Sequence, residues 1–203
     1  KIFFIEKMDT NGKLNKENTV CFFAHKTELT KEEDICLNNV IISEFKDDNN
    51  LYFLSNEHYY QAYKFANENI KEEFKDSKKD IFKTAFEEVR QAPDCTSCKT
   101  AARKYEKELE NYWNKDKWTN GQKDVIMKKG LMFKFSQNKK MLDRLMESGD
   151  KRLSEESYQD KYWAGMLPDS LNKLGNFLME LRDNFKETNK IFIQDCGLDA
   201  IEI

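Results

Sequence analysis

The stretch Ser55–Phe65, SNEHYYQAYKF, crowds an acid, an imidazole, phenols, an amide and an amine into one short segment. On a helix, about 100° per residue puts Glu57, Tyr60, Gln61 and Lys64 on one face. His58, Ala62, Phe65 and Ala66 then belong to the other side. Glu57 falls in the first turn, where unpaired backbone N–H groups and the helix dipole favour negative charge. A carboxylate so placed can hold a water, bind ribose hydroxyls or stand beside a developing cation. The plainer reading of this stretch alone is a wet surface helix with an acidic first turn. His58 reads as a hydrogen-bonded structural residue, not a base.

A second group of acids lies in RLSEESYQDKYWAG, Arg152 to Gly165, which holds Glu155, Glu156, Asp160 and Trp163. This segment reads as a loop, and loops on a rigid scaffold are where sites concentrate. An indole beside a carboxylate suits a flat heterocycle attached to a sugar: the ring stacks and the acid addresses the sugar. Equally, Trp163 can plug the core while Asp160 caps the next turn. Cys95-Thr96-Ser97-Cys98 is a lone C-x-x-C. Zinc would want a second pair and a redox motif would want a preceding strand, so no metal or cofactor is expected. Between Lys123 and Arg152 stand nine Lys or Arg against four Asp or Glu, a stripe able to attract phosphate or simply a solvated helix face.

These residues must be positioned by one domain, for 203 residues support a real core and are too few to expect two. An aromatic share of 13% argues against disorder despite 35% charged residues. With 7 Gly and 2 Pro, a mostly helical α+β domain is expected. Ile2–Ile5 and Thr19–Phe23 read as short strands, and Val40–Phe45 with Leu51–Leu54 as a hairpin. A helix then runs from about Asn56 to Ile70, capped by Ser55. Ser77-Lys78-Lys79-Asp80 resembles a capping box for a helix bearing Ile81, Phe82, Ala85, Phe86 and Val89, closed by Pro93. Ala101, Ala102, Tyr105, Leu109 and Trp113 mark the next helix. Thr119–Gln122 caps another with Val125, Ile126, Lys129 and Phe133. Asn138 starts a short helix with Met141, Leu142 and Leu145, ended by Gly149 as a C′ glycine. The last long helix begins near Asp169 or Ser170 and turns Leu171, Leu174, Leu178, Leu181 and Phe185 inward. The tail from Ile191 to Ile203 adds a strand or packs. No apolar run approaches a membrane span. Five cysteines, an odd number, in a Lys-rich chain without a secretory signal point to reduced thiols in the cytoplasm or nucleus. The chain starts at Lys1 and not Met, which leaves room for a trimmed upstream targeting segment.

Four segments in this order resemble the NADAR family, also called YbiA-like. They are SNEHYYQAYKF; then Trp118 with Met127 and KFSQN (Lys134 to Asn138); then RLSEESYQDKYWAG; then NKLGNFLMELR (Asn172 to Arg182). CLNN (Cys36 to Asn39) is similar to the family's Ser-Asn-Phe-type loop, with Asn38 as its match. The resemblance covers roughly residues 20 to 186. The sequence departs from the family at Ala164, where a Gly usually follows the loop Trp, and in residues of about 70–98, which read as a helical insertion containing the C-x-x-C.

The resemblance implies a single NADAR-like domain over residues 1–203, a YbiA-like α+β fold with a helical majority, no metal, and hydrolysis of an N-glycosidic bond to ribose. Such a reaction passes through an oxocarbenium-like state and asks for a carboxylate near C1′, a positioned water and a pocket for the base. Glu57 is the first choice for that carboxylate and Asp160 the second, as base or electrostatic partner. Trp163 and Tyr60 are candidates to stack on the base; Asn38, Gln61 and Asn172 to bind sugar or base edges; Lys64 and Lys134 to take phosphate oxygens; Trp118 to line the pocket or the core. The expected substrate is ADP-ribosylated guanine in DNA or RNA, because the basic stripe and the added segment suit a larger, phosphate-bearing ligand. The alternatives are a phosphoribosylamino-pyrimidine of riboflavin synthesis, a module that binds ADP-ribose without cleaving it, and a purely structural helical protein.

Overall fold

The computed structural model describes residues 17–188. In chain order it contains β1 (Thr19–Phe22), a 3-10 helix Glu32–Leu37, β2 (Phe45–Lys46), β3 (Tyr52–Phe53) and α1 (Asn56–Tyr63). There follow α2 (Lys75–Arg90), α3 (Cys95–Glu108), the single turn α4 (Lys115–Lys117), α5 (Lys123–Gln137), α6 (Lys139–Glu147), β4 (Arg152–Glu155) and α7 (Lys173–Thr188). The architecture is the expected one, α+β and mostly helical with a few short strands. The strand expected at Ile2–Ile5 and the tail from Ile191 lie outside the described residues. None of the described helices is long and apolar enough to cross a membrane.

The chain divides into two compact units: residues up to Ile41 with those from Lys139, and Ile42–Asn138. In the second unit, β2 and β3 pair antiparallel, Phe45 opposite Phe53, in a hairpin shorter than the two runs of apolar residues suggest. Asp47 ties its loop, since its Oδ1 accepts the N–H groups of Asn49 and Leu51. Phe53 stands edge-on to Tyr59 at 5.0 Å and Phe45 lies 6.1 Å from Phe133, so hairpin, α1 and α5 share an aromatic core. Burying rings of this size contributes much of a small unit's apolar stabilisation.

Helix α1 stops at Tyr63, seven residues short of the expected Ile70. Asn69 stops it: its Nδ2 donates to the Tyr63 carbonyl and satisfies a helix end from outside. Helix α2 begins at Lys75, so Ser77 lies inside it and donates to the Phe74 carbonyl; it is not a cap. Phe82, Ala85 and Val89 are buried, and Phe86 meets Phe53 and Tyr63. The segment at about 70–98 is therefore part of this unit's core. Asp94 caps α3 by accepting the Ser97 N–H at 2.8 Å. Thr119–Gln122 is not a cap for α5 but an irregular turn in which Gly121 takes φ +113°.

In the first unit, β1 and β4 pair parallel, from Thr19 opposite Arg152 to Phe22 opposite Glu155. The segment read as loop from Arg152 onward thus opens as a strand. Four residues with one large apolar side chain, Leu153, carry too little alternation to announce it, and its partner is distant in sequence. Helix α6 follows Asn138 as expected, buries Leu145, and ends before Gly149 at φ +61°. Helix α7 buries Leu174, Leu178 and Leu181, whereas Leu171, expected inward, is 52% exposed. Asn172 takes φ +50°, so the helix cannot extend back through it to Leu171. Gly175 lets α7 approach β4 closely: a Cβ there would overlap the Leu153 carbonyl oxygen. Arg182, 3% exposed, secures the same packing by donating to Ser148 Oγ and the Lys151 carbonyl.

Candidate functional site

Helix α1 delivers the first group of candidate residues. Ser55 caps it in extended geometry, its Oγ accepting the His58 N–H. Glu57 in the first turn is 5% exposed. Its Oε1 accepts Gln61 Nε2 at 2.7 Å and lies 3.6 Å from Lys99 Nζ. About two helical turns further, Lys64 pairs with Glu106 and reaches 5.5 Å from the Tyr60 ring. The two ion pairs join positions seven apart on α1 to positions seven apart on α3, in the same direction. This ladder sets the rotation of α1 and hence where Glu57 points. Tyr60 and Trp118 are both buried, with ring centroids 5.2 Å apart. Glu57, Tyr60, Gln61 and Lys64 therefore share the face that the helical spacing predicts. The face is not a wet surface.

His58 sits on the other side and is fully buried. Its Nε2 lies 3.2 Å from the Ala92 carbonyl, which can only accept, so the proton is on Nε2. Nδ1 then accepts from Ser55 Oγ at 2.8 Å. Burial pulls this imidazole below its ordinary range, the Ala92 carbonyl opposing it. A neutral ring bonded at both nitrogens is a structural brace. Cys95 Sγ stands 3.3 Å from Ser55 Oγ, and burial raises both the Cys95 and Cys98 thiols. Among the described residues no group of three or more His, Cys, Asp or Glu could hold a metal ion.

Lys134, nominated for phosphate, is fully buried on α5, its Nζ 5.2 Å from the Phe135 ring. The basic stripe is largely taken up: Lys129 pairs with Asp48, Lys139 with Asp143, and Arg144 with the buried Asp34.

The other nominated residues lie in the first unit. Asp160 Oδ1 accepts the backbone N–H groups of Tyr162 and Trp163, each at 2.8 Å. It shapes the turn that carries the indole. Trp163 is half-buried, edge-on to Tyr162 at 4.9 Å and to Phe177 at 6.2 Å. The N–H groups of Leu171, Asn172, Lys173 and Leu174 donate to the carbonyls of Lys161, Ala164, Tyr162 and Trp163. The start of α7 is thus laced to the loop, and its amides are spent on protein. Asn172, nominated for sugar or base, is 1% exposed and donates to the Leu153 carbonyl at 2.9 Å. Its Oδ1 packs where any Cβ on Gly165 or Gly175 would intrude. That geometry makes Asn172 a spacer between α7 and β4.

Asn38 is also 1% exposed, and its Nδ2 donates to Glu155 Oε1 at 3.1 Å. The sequence alone assigns no role to Glu155, which stands at the end of β4. A buried Asn in CLNN and an acid closing a short strand were the available signals, and neither names the other. Glu156, next along, accepts the hydroxyls of Thr27 and Thr30 and pins the loop after β1.

Comparison with known proteins finds similarity over most of the chain. The NADAR domain family model matches residues 21–186. The N-glycosidase YbiA of Escherichia coli (strain K12) is 28% identical over 130 residues, 64% of this chain and 68% of that protein. A riboflavin biosynthesis protein of Vibrio vulnificus (strain YJ016) is 29% identical over 134 residues, 66% of this chain. The match spans only 31% of that relative's length. The solved NMR structure of E. coli YbiA is similar in fold, with a TM-score of 0.61 at 23% identity, covering 86% of this chain and 88% of that one.

Proposed function

The chain belongs to the NADAR domain family, and on that premise we propose that it hydrolyses the N-glycosidic bond between ribose and a base, removing ADP-ribose from ADP-ribosylated guanine in nucleic acid. The observation that carries this reading is Glu57: a carboxylate 5% exposed in an N-capped first turn, oriented by Gln61 and Lys99. Burial in a low-dielectric setting strengthens the field a carboxylate exerts on an oxocarbenium-like centre. Glu57 holds the ribose hydroxyls or the water and stabilises positive charge at C1′. Asp160 contributes charge and, through Oδ1, the position of Trp163, whose indole stacks on the base. The N-glycosidase name of the E. coli relative supports the bond class.

With Lys129, Lys139 and Arg144 committed to carboxylates, the exposed Lys140 and Lys151 are the members of the stripe that favour a phosphate-rich substrate. The name of the Vibrio relative favours a second reading, a phosphoribosylamino-pyrimidine of riboflavin synthesis. Incubation with an oligonucleotide bearing ADP-ribosylated guanine, and separately with the pyrimidine, decides between them. Release of ADP-ribose from the first is the expected result, and turnover of the pyrimidine alone refutes the substrate. Tight binding of ADP-ribose with no product from either substrate refutes the enzyme. Glu57→Gln is expected to lower kcat by about 10²–10⁴-fold.

A further inference from the structure

We infer that Glu155 is a further catalytic carboxylate, the one that accepts the proton of the attacking water, with Asn38 as its positioning residue. The inference rests on the N-glycosyl hydrolase reading above. Three acids fall within six residues, and their partners separate them. Glu156 Oε2 accepts two threonine hydroxyls and closes the loop after β1. Asp160 Oδ1 accepts two backbone N–H groups and closes the turn before Trp163. Glu155 Oε1 accepts from Asn38 Nδ2, which lies 117 positions away in the chain.

Asn38 is itself fixed. Its Oδ1 accepts the Val40 N–H at 3.0 Å, so the amide is oriented and Nδ2 can only face outward to Glu155 Oε1. A 1% exposed amide held at one end and donating at the other aims a carboxylate without adding a charge to it. Backbone geometry completes the mount. Glu155 is the last residue of β4, paired with the fully buried Phe22 of the parallel strand β1. Its carbonyl accepts the N–H groups of Ser157 and Gly165, and the next N–H, of Glu156, donates to the Phe22 carbonyl. The residue stands at the carboxyl end of the β1–β4 parallel pair, where the chain leaves the strand for the loop that carries Asp160 and Trp163. The side chain is half-buried, which leaves it reachable by a water.

In the step assigned to it, the water oxygen bonds to C1′ as the C1′–N bond breaks. The bonding pair leaves with the base nitrogen, which takes up a proton. The proton lost by the water passes to the Glu155 carboxylate, which releases it to solvent, and solvent is the source of the proton taken up by the base nitrogen. Water is the only co-reactant, and the products are a free ribose hydroxyl and the protonated base.

The test uses the full chain and an oligonucleotide with ADP-ribosylated guanine, with the phosphoribosylamino-pyrimidine in parallel. Glu155→Gln is expected to lower kcat by about 10²–10⁴-fold with KM within about threefold. Asn38→Ala is expected to lower kcat about tenfold, and Asp160→Asn by no more than that. Azide added to Glu155→Ala is expected to restore turnover and yield the ribosyl azide, since an anion attacks C1′ without a base. Melting temperatures accompany every variant. Should Glu155→Gln fail to fold, Glu155→Asp takes its place, with a kcat loss of at least tenfold expected. A parent-like kcat in the folded Glu155 variant, beside a Glu57→Gln that has lost activity, overturns the inference and leaves the hydrolase reading intact. A parent that turns over neither substrate refutes the hydrolase reading, and the inference with it.

Discussion

Gly130→Ala tests the seat of the helix that carries Glu57. Gly130 lies in α5 with its Cα against α1. An added Cβ would overlap Asn56 Oδ1 and stand 2.8 Å from Tyr59 Cδ1 and 3.0 Å from Asn56 Cγ. An unstrained carbon–oxygen contact needs about 3.3 Å. Neither neighbour yields easily, for Asn56 and Tyr59 are both fully buried and Asn56 Nδ2 is bonded to Met127 Sδ at 3.1 Å. Alanine gains about 1 kcal/mol over glycine in a helix. Overpacking a rigid core costs about 1–3 kcal/mol, and two immobile neighbours on one helix place this site at the upper end. The net is about 2 kcal/mol of destabilisation, a fall of about 4–8 °C in melting temperature for a chain of this size. Asn56→Ala removes the overlapping oxygen, which has no hydrogen-bond partner of its own. The double variant Asn56→Ala/Gly130→Ala is therefore expected to recover at least half the loss relative to the sum of the single changes. Differential scanning calorimetry of the four proteins reads the cycle. A Gly130→Ala protein that melts at or above the parent, or a cycle with no coupling, refutes the reasoning.

Three further outcomes follow from the same geometry. Burial lowers the His58 pKa, so below its ordinary value of 6.5 the unfolded chain binds a proton that the folded one does not, and stability is lost as pH falls from there toward the folded value. Thermal melts at pH 7.5 and 5.5 are expected to show a larger loss in the parent than in His58→Gln. Arg144→Ala leaves Asp34, 3% exposed, without its guanidinium; the cost is about 3 kcal/mol by denaturant titration, partly relieved at acidic pH because burial already raises the Asp34 carboxyl. Asp160→Ala loses the two N–H bonds that hold the Trp163 turn, whereas Asp160→Asn keeps an acceptor; only the first is expected to shift the indole fluorescence to longer wavelength.

Much of the second unit was legible because its signals are local. Ser55 caps α1 and the helical period aligns Glu57, Tyr60, Gln61 and Lys64, so their common face follows from spacing alone. Gly149 closes α6 for an equally local reason. The misplaced boundaries share another cause. Asn69 ends α1 through a side chain that the helical period does not register, and Asn172 bars α7 from Leu171 through a positive φ that asparagine tolerates better than most residues and that the period does not register either. The segment at about 70–98 departs from the family pattern, and its apolar stripe packs within the unit: Phe82 is fully buried and Phe86 meets Phe53.

By itself the sequence determined the fold class, the order of the family segments and the helical face that bears Glu57, all of which depend on composition, order and a period of a few residues. Only the tertiary structure decided what each nominated side chain is bound to. Lys64 went to Glu106, Lys134 into the core, Asn172 between α7 and β4, and Asn38 to Glu155. Hydrogen bonds and ion pairs between residues distant in the chain leave no periodic trace, because the partner is chosen by packing and not by spacing. For the same reason nothing in the run of acids distinguishes Glu155, which the parallel strands and a buried amide set apart.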